Sequence, residues 1–220
     1  MNLLDHGYIT LIESWGSDER VIEAARMSTN KGFLGWDNDA RLLRYLWTNQ
    51  HHTPFEMAGM VLEVQAPIFV FREWHRHRTQ SYNELSARYT ELPDLYYIPS
   101  IERLMGGKQS TTNKQSSADG FDPGTASVIQ DTIRSSSEDA YRTYKGMLAS
   151  GVARELARLV IPVNQYSRMR ASANLRNWLH FLSLRCSNGA QFEIRQYAEA
   201  VSEMVKQCFP RTWELWKEGA

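Results

Sequence analysis

The longest apolar run in the chain, residues 66–71 (APIFVF), stops at Arg72 and Glu73. A membrane-spanning helix needs roughly 18 to 20 apolar residues. A chain with runs this short must bury them in brief amphipathic elements around a core. Of its 220 residues 42% are hydrophobic, enough for one domain spanning 1–220. Lys plus Arg and Asp plus Glu are balanced at 25 each. No global field therefore draws nucleic acid or an anionic membrane, and any affinity for phosphate must be local. Only two cysteines, Cys186 and Cys208, and a polar start, MNLLDHG, point to a soluble cytoplasmic protein rather than a secreted disulfide scaffold.

Periodicity assigns the elements. Residues 8–15 (YITLIESW) and 59–66 (GMVLEVQA) read as strands. Ser17 is placed to cap a helix over 18–28, and Asp37 to cap one over 38–50, where Leu42, Leu43, Leu46 and Trp47 recur at helical spacing. Pro54 breaks the chain between them, so a loop delivers residues 51–56. Pro67 suits the first turn of a helix over 67–78, which would set Arg72 and Arg76 one turn apart. Residues 105–125 are poor in apolar types and predict a long mobile loop. Helical patterns follow at 126–150 and 152–160. A strand over 166–172 would put Tyr166, Arg168 and Arg170 on one face and Ser167, Met169 and Ala171 on the other. Helices over 174–185 and 190–209 and a short tail with Trp213 and Trp216 complete the chain. Neither GxGxxG nor GxxxxGK[ST] occurs, so any nucleotide site is built in another way.

The densest polar hardware lies in residues 76–89, RHRTQSYNELSARY. Arg76, Arg78 and Arg88 offer forked donors matched to phosphate. Asn83 and Ser86 can bond a base edge or ribose, and Glu84 can accept from a hydroxyl or N–H. A solvated helix end would explain the arginines but not the Ser, Asn and Glu recurring among them.

The segment resembles the signature of the flavin-dependent thymidylate synthases, RHRxxSxNxxSxR, and matches each fixed position. AARMS ending at Ser28, HHTPFE at 51–56, RELARLVIP at 154–162, NLRNWLHFLSLR at 174–185 and AQFEIRQYA at 190–198 are similar to family segments in family order. The resemblance implies an α+β fold, a small mostly antiparallel sheet flanked by helices. It also implies a homotetramer with active sites where subunits meet. There NADPH reduces FAD, methylenetetrahydrofolate supplies a carbon, and dUMP leaves as dTMP. By the same resemblance dUMP contacts fall to Glu73, Trp74, His75, Arg76, Glu84, Leu85, Ser86, Ala87, Arg88, Arg158 and Arg185. Arg88 and Arg158 are the phosphate candidates, and Arg185 is the catalytic candidate, favouring ionisation of the pyrimidine N3. FAD contacts fall to Ser28, Thr53, Glu56, Arg76, His77, Arg78, Asn83, Glu84, Asn174, Leu175, Arg176 and His180.

Other readings are weaker. Ser86 as nucleophile lacks an adjacent base, and Cys186 beside Arg185 reads as a helical core thiol. The HxH pair His75 and His77 could chelate, yet no Cys or paired carboxylate completes a set, so no metal is expected. A single-strand nucleic-acid binder would use the arginines with Tyr82, Tyr89, Tyr96 and Tyr97, against a neutral net charge. A purely structural helical oligomer would tolerate loss of Arg76, Arg88 and Arg185.

Overall fold

The computed structural model describes residues 1–111 and 120–219 and the backbone of 117–118. In chain order its elements are β1 (Asn2–Leu3), β2 (Gly7–Trp15), α1 (Asp18–Arg26), α2 (Trp36–Thr48), β3 (Gly59–Pro67), α3 (Ile68–Trp74) and β4 (Ser81–Glu84). Then come α4 (Ile101–Met105), the small ribbon β5 (Lys108–Gln109) and β6 (Ser117–Ala118), α5 (Pro123–Ala149), α6 (Arg154–Ala157), β7 (Tyr166–Asn174), α7 (Leu175–Arg185), α8 (Phe192–Cys208) and α9 (Pro210–Glu218). The fold is α+β. Five strands run in the order β1-β2-β3-β7-β4, each pair antiparallel, and helices bury one face.

Strand β3 is central because its alternation is strict. Met60, Leu62, Val64 and Ala66 are fully buried, and β7 pairs with it from Gly59↔Asn174 to Pro67↔Tyr166. Met169, Ala171 and Ala173 extend the same face of β7, while Arg168 and Arg170 are exposed on the other. Tyr166, on the face of Arg168 and Arg170, is nevertheless buried. Its hydroxyl donates to Asp5 at 2.5 Å and its N–H to the Leu95 carbonyl at 2.9 Å, so the 93–97 segment covers the strand's start. Against the sheet pack Val21 and Ile22 of α1, Trp178 and Leu182 of α7, and Tyr197 and Val201 of α8. Each such burial contributes roughly 1.5–3 kcal/mol. The Trp178 indole finds its partner in the Met60 carbonyl at 3.1 Å, which locks α7 onto β3.

Gly7 begins β2 where a side chain has no room: an added Cβ would lie 2.0 Å from the Tyr197 hydroxyl. That hydroxyl donates to the Gln65 carbonyl at 2.7 Å, pinning α8 to central β3. Gly7→Ala should lower stability by about 1–3 kcal/mol in urea unfolding; an unmoved midpoint would mean that Tyr197 can swing aside freely.

Several expectations need correction. Helix α2 starts at Trp36, not after Asp37. Gly35 at φ +96° occupies the cap position, and Asp37 lies in the first turn, where a carboxylate opposes the helix dipole. Helix α3 ends at Trp74, so Arg76 is not on a helix with Arg72. The Tyr82 hydroxyl donates to the His77 carbonyl at 2.7 Å and lies 3.2 Å from that of Trp74, tying off the helix end. The predicted loop at 105–125 is interrupted by β5, β6 and an α5 that begins at Pro123, capped by Asp122 accepting from the Thr125 N–H at 3.0 Å. The remainder of that prediction, at 112–116 and 119, lies outside the described residues.

Candidate active site

The turn after α3 alternates. Arg76 and Arg78 are exposed, while His77 between them is only 6% exposed. Burial of His77 puts it against the last residue of α7. Arg185 Nε donates to His77 Nε2 at 2.9 Å, its Nη1 to Glu73 Oε2 at 2.8 Å and its Nη2 to the Glu73 carbonyl at 3.0 Å. Accepting at Nε2 puts the ring proton of His77 on Nδ1. Burial, the Arg185 cation and His180 hold the pKa of His77 down to about 4. Since the folded value lies below the ordinary one near 6.5, this group favours folding above pH about 6.5, and that contribution is lost as pH falls toward 4. Two expected cofactor ligands, His77 and His180, thus meet the expected catalytic arginine here, their rings 6.2 Å apart.

From this turn the chain enters β4, too polar to read as a strand from sequence but paired with β7 through Asn83↔Arg170 and Glu84↔Met169. Glu84 accepts from Ser167 Oγ at 2.7 Å, and the ladder continues from the Leu85 N–H to the Arg168 carbonyl at 2.7 Å. Ala87 then anchors the segment in a second small core with Leu92, Tyr144 and Ala157. Arg88 and Arg158 each follow an alanine of that core, and both are exposed. Arg88 Nε reaches Glu155 at 3.5 Å.

The opposite end of α7 reaches the turn that borders a different cleft. Asn174 caps the helix by accepting from the Asn177 N–H at 3.0 Å, and Arg176 pairs with Glu56 at 2.5 Å. Glu56 and Thr53 stand on the 3-10 turn Thr53–Met57. Thr53 and Ser28 line a cleft of about 670 Å³ with Arg26, His51 and His52. Among the described residues the buried Nδ1 of His52 has no hydrogen-bond partner. Burial and the Arg176 cation push its pKa down. His52 was not expected at the site, and only its adjacency to His51 in HHTPFE could have signalled it.

Trp74 and Leu175, expected near ligands, are buried in this chain's core. The Trp74 indole donates to Gln80 at 3.0 Å, and the Leu175 N–H to the Ala58 carbonyl at 2.7 Å. His75 is half-buried, its ring 4.7 Å from that of Tyr82. In the HxH pair, the Nε2 of His77 is taken by Arg185. The Ser86 Oγ accepts from the Arg88 N–H at 3.3 Å. Burial pushes the Cys186 thiol up to about 11, so it stays protonated at neutral pH. Tyr97, offered to nucleic-acid bases by one reading, is 5% exposed.

Residues 10–211 match the family described as thymidylate synthase complementing protein. The chain is 41% identical over 216 residues to the flavin-dependent thymidylate synthase of Wolbachia pipientis wMel, covering 98% of this chain and 75% of that one. The chain belongs to the flavin-dependent thymidylate synthase family. The flavin-dependent thymidylate synthase of Thermosipho africanus is 41% identical over 218 residues, covering 99% of this chain and 94% of its own. Among solved structures, the UMP/dUMP methylase PolB from Streptomyces cacaoi bound with 5-Br dUMP superposes with a TM-score of 0.89 at 33% identity, over 99% of this chain and 97% of that one. With 5-Br UMP the TM-score is 0.87 at 35% identity, over 98% and 96%. For a flavin-dependent thymidylate synthase, RHRxxSxNxxSxR is thus a turn and an edge strand rather than a helix: its buried His77 faces α7 and its last arginine faces α6.

Proposed function

We propose that this chain methylates dUMP to dTMP, with methylenetetrahydrofolate as carbon donor and NADPH as the source of reducing equivalents through FAD, releasing tetrahydrofolate. The observation that carries this reading is Arg185, a cation held by Glu73 and neutral His77 beside the arginine-rich turn. A fixed cation near the pyrimidine N3 stabilises the anion that must form there. Arg88 and Arg158 would take the phosphate as forked donors, while Asn83, Glu84 and Ser86 orient base and ribose.

The cleft beside α7 fits a flavin cofactor. Its volume is within the roughly 300–1,000 Å³ usual for ligand sites, Ser28 and Thr53 line it, and the buried Nδ1 of His52 lacks a partner among the described residues. FAD, when bound, supplies the hydride chemistry, and the chain supplies orientation and fixed charge. Arg176, Glu56, Asn174, Arg76 and Arg78 would complete its contacts. The Arg88/Arg158 pair and the Ser28/Thr53 cleft are joined by no hydrogen bond or ion pair among the described residues. A homotetramer in which subunits share sites would bring the two together. Among the described residues no helix is long and apolar enough to cross a membrane, in keeping with a cytoplasmic enzyme.

An absorbance spectrum of the purified protein, followed by anaerobic NADPH with and without dUMP, tests the reading. Flavin bands that bleach faster with dUMP are expected; a colourless protein indifferent to FAD and dUMP sinks it. Arg88→Ala should raise the KM for dUMP about tenfold or more, by loss of a charge-assisted phosphate contact. An unchanged KM would remove Arg88 from the phosphate site.

A further inference from the structure

Arg185 has five N–H donors, and three are engaged within the chain, by His77 Nε2, the Glu73 carboxylate and the Glu73 carbonyl. Glu73 alone can hold the guanidinium by its two terminal nitrogens. The contact at Nε adds a third point on the side of the group away from Glu73, and three held nitrogens fix the guanidinium's plane. The partner there is rigid: His77 is 6% exposed, its ring lies 4.9 Å from that of Phe181, and its carbonyl takes the Tyr82 hydroxyl. The charged and titratable groups facing it are Arg185 and His180, both from α7.

We propose that His77 is a positioning residue for Arg185, setting the guanidinium's plane so that one N–H on each of Nη1 and Nη2 is directed to the pyrimidine. The inference rests on reading Arg185 as the group beside the substrate ring. It also reassigns the imidazole. With Nε2 taken by Arg185, any cofactor contact of His77 is confined to the Nδ1 edge. A protonated ring would be a donor at both nitrogens and would repel Arg185.

The test uses His77→Phe, which removes the acceptor, and His77→Gln, whose carbonyl oxygen can occupy the position of Nε2. In the FAD-loaded enzyme, His77→Phe should lower kcat about 10²-fold through misplacement of Arg185. The KM for dUMP should stay within about threefold, and His77→Gln should recover at least about tenfold of the loss. Equal kcat in the two variants, or a defect confined to the fluorescence-measured Kd for FAD, would overturn the proposal. A second arm needs no turnover: ¹⁵N NMR of His77 should report the neutral Nδ1–H form from pH 5 to 8, and Arg185→Leu should raise the ring's pKa. A charged ring at pH 5, or a pKa indifferent to Arg185→Leu, would also overturn it. A parent that forms no dTMP overturns the proposed function and with it the purpose of the contact, while the NMR arm still reports whether the contact exists.

Discussion

Arg185→Ala should fold, keep its flavin, and form dTMP about 10²–10³-fold more slowly, the loss typical of removing a single preorganised charge-stabilising donor. Folding survives because no buried charge is left unpaired. The Glu73 side chain is 42% exposed and can be solvated, and His77 is already neutral. Flavin should be retained because the Ser28/Thr53 cleft and the Arg176–Glu56 pair lie at the other end of α7. Arg185→Lys should fall between the two, since an ammonium restores the charge but not the fork that binds His77 and Glu73 together. The measurement is dTMP formation at saturating dUMP, with the flavin spectrum taken on the same samples. Turnover within about threefold of the parent would mean that this cation does not face the reacting ring.

Much of the scaffold was legible because its signals are local. Strand β2 is rich in β-branched and aromatic residues, β3 and β7 alternate inward and outward side chains, and Ser17 caps α1 as its type and place require, accepting from the Arg20 N–H at 3.3 Å. The Asp122-Pro123 start of α5 was legible in principle too, as a cap followed by proline, but polar neighbours made it read as loop. Strand β4 was not legible: four residues, SYNE, are too few and too polar to reveal a period. Nor was the end of α3, which depends on a tyrosine hydroxyl arriving from β4.

The site divides the same way. Residues 76–88 announce their chemistry by density, so Arg76, Asn83, Ser86 and Arg88 could be singled out without a structure. What the density cannot disclose is partnership. Arg185 and His77 are separated by 108 positions, and only the burial of α7 against the turn after α3 joins them. Likewise Ala87 and Ala157 look unremarkable in sequence, yet their shared core joins the stretches that carry Arg88 and Arg158.

Asp39→Ala should be the most destabilising of the polar substitutions, by about 3–5 kcal/mol, because it breaks a buried ion pair from one side. Asp39 is fully buried and accepts from Arg26 Nε at 3.0 Å and from the Leu34 N–H at 2.7 Å, with a further Arg26 nitrogen on the same oxygen. Alanine would leave a guanidinium that is only 17% exposed without its counter-charge. Burial alone would raise the pKa of Asp39, but the Leu34 N–H and the Arg26 cation outweigh it and hold the carboxyl below its ordinary value. The pair's stabilisation is therefore complete above about pH 4 and is lost as pH falls through the lower folded value. Urea unfolding at pH 7 should reveal the full deficit, and the gap between parent and variant should narrow in more acidic buffer. Because Arg26 and Ser28 line the same cleft, the folded variant should also hold FAD more weakly. A deficit below about 1 kcal/mol, typical of an exposed pair, would mean that water reaches Arg26 once Asp39 is gone.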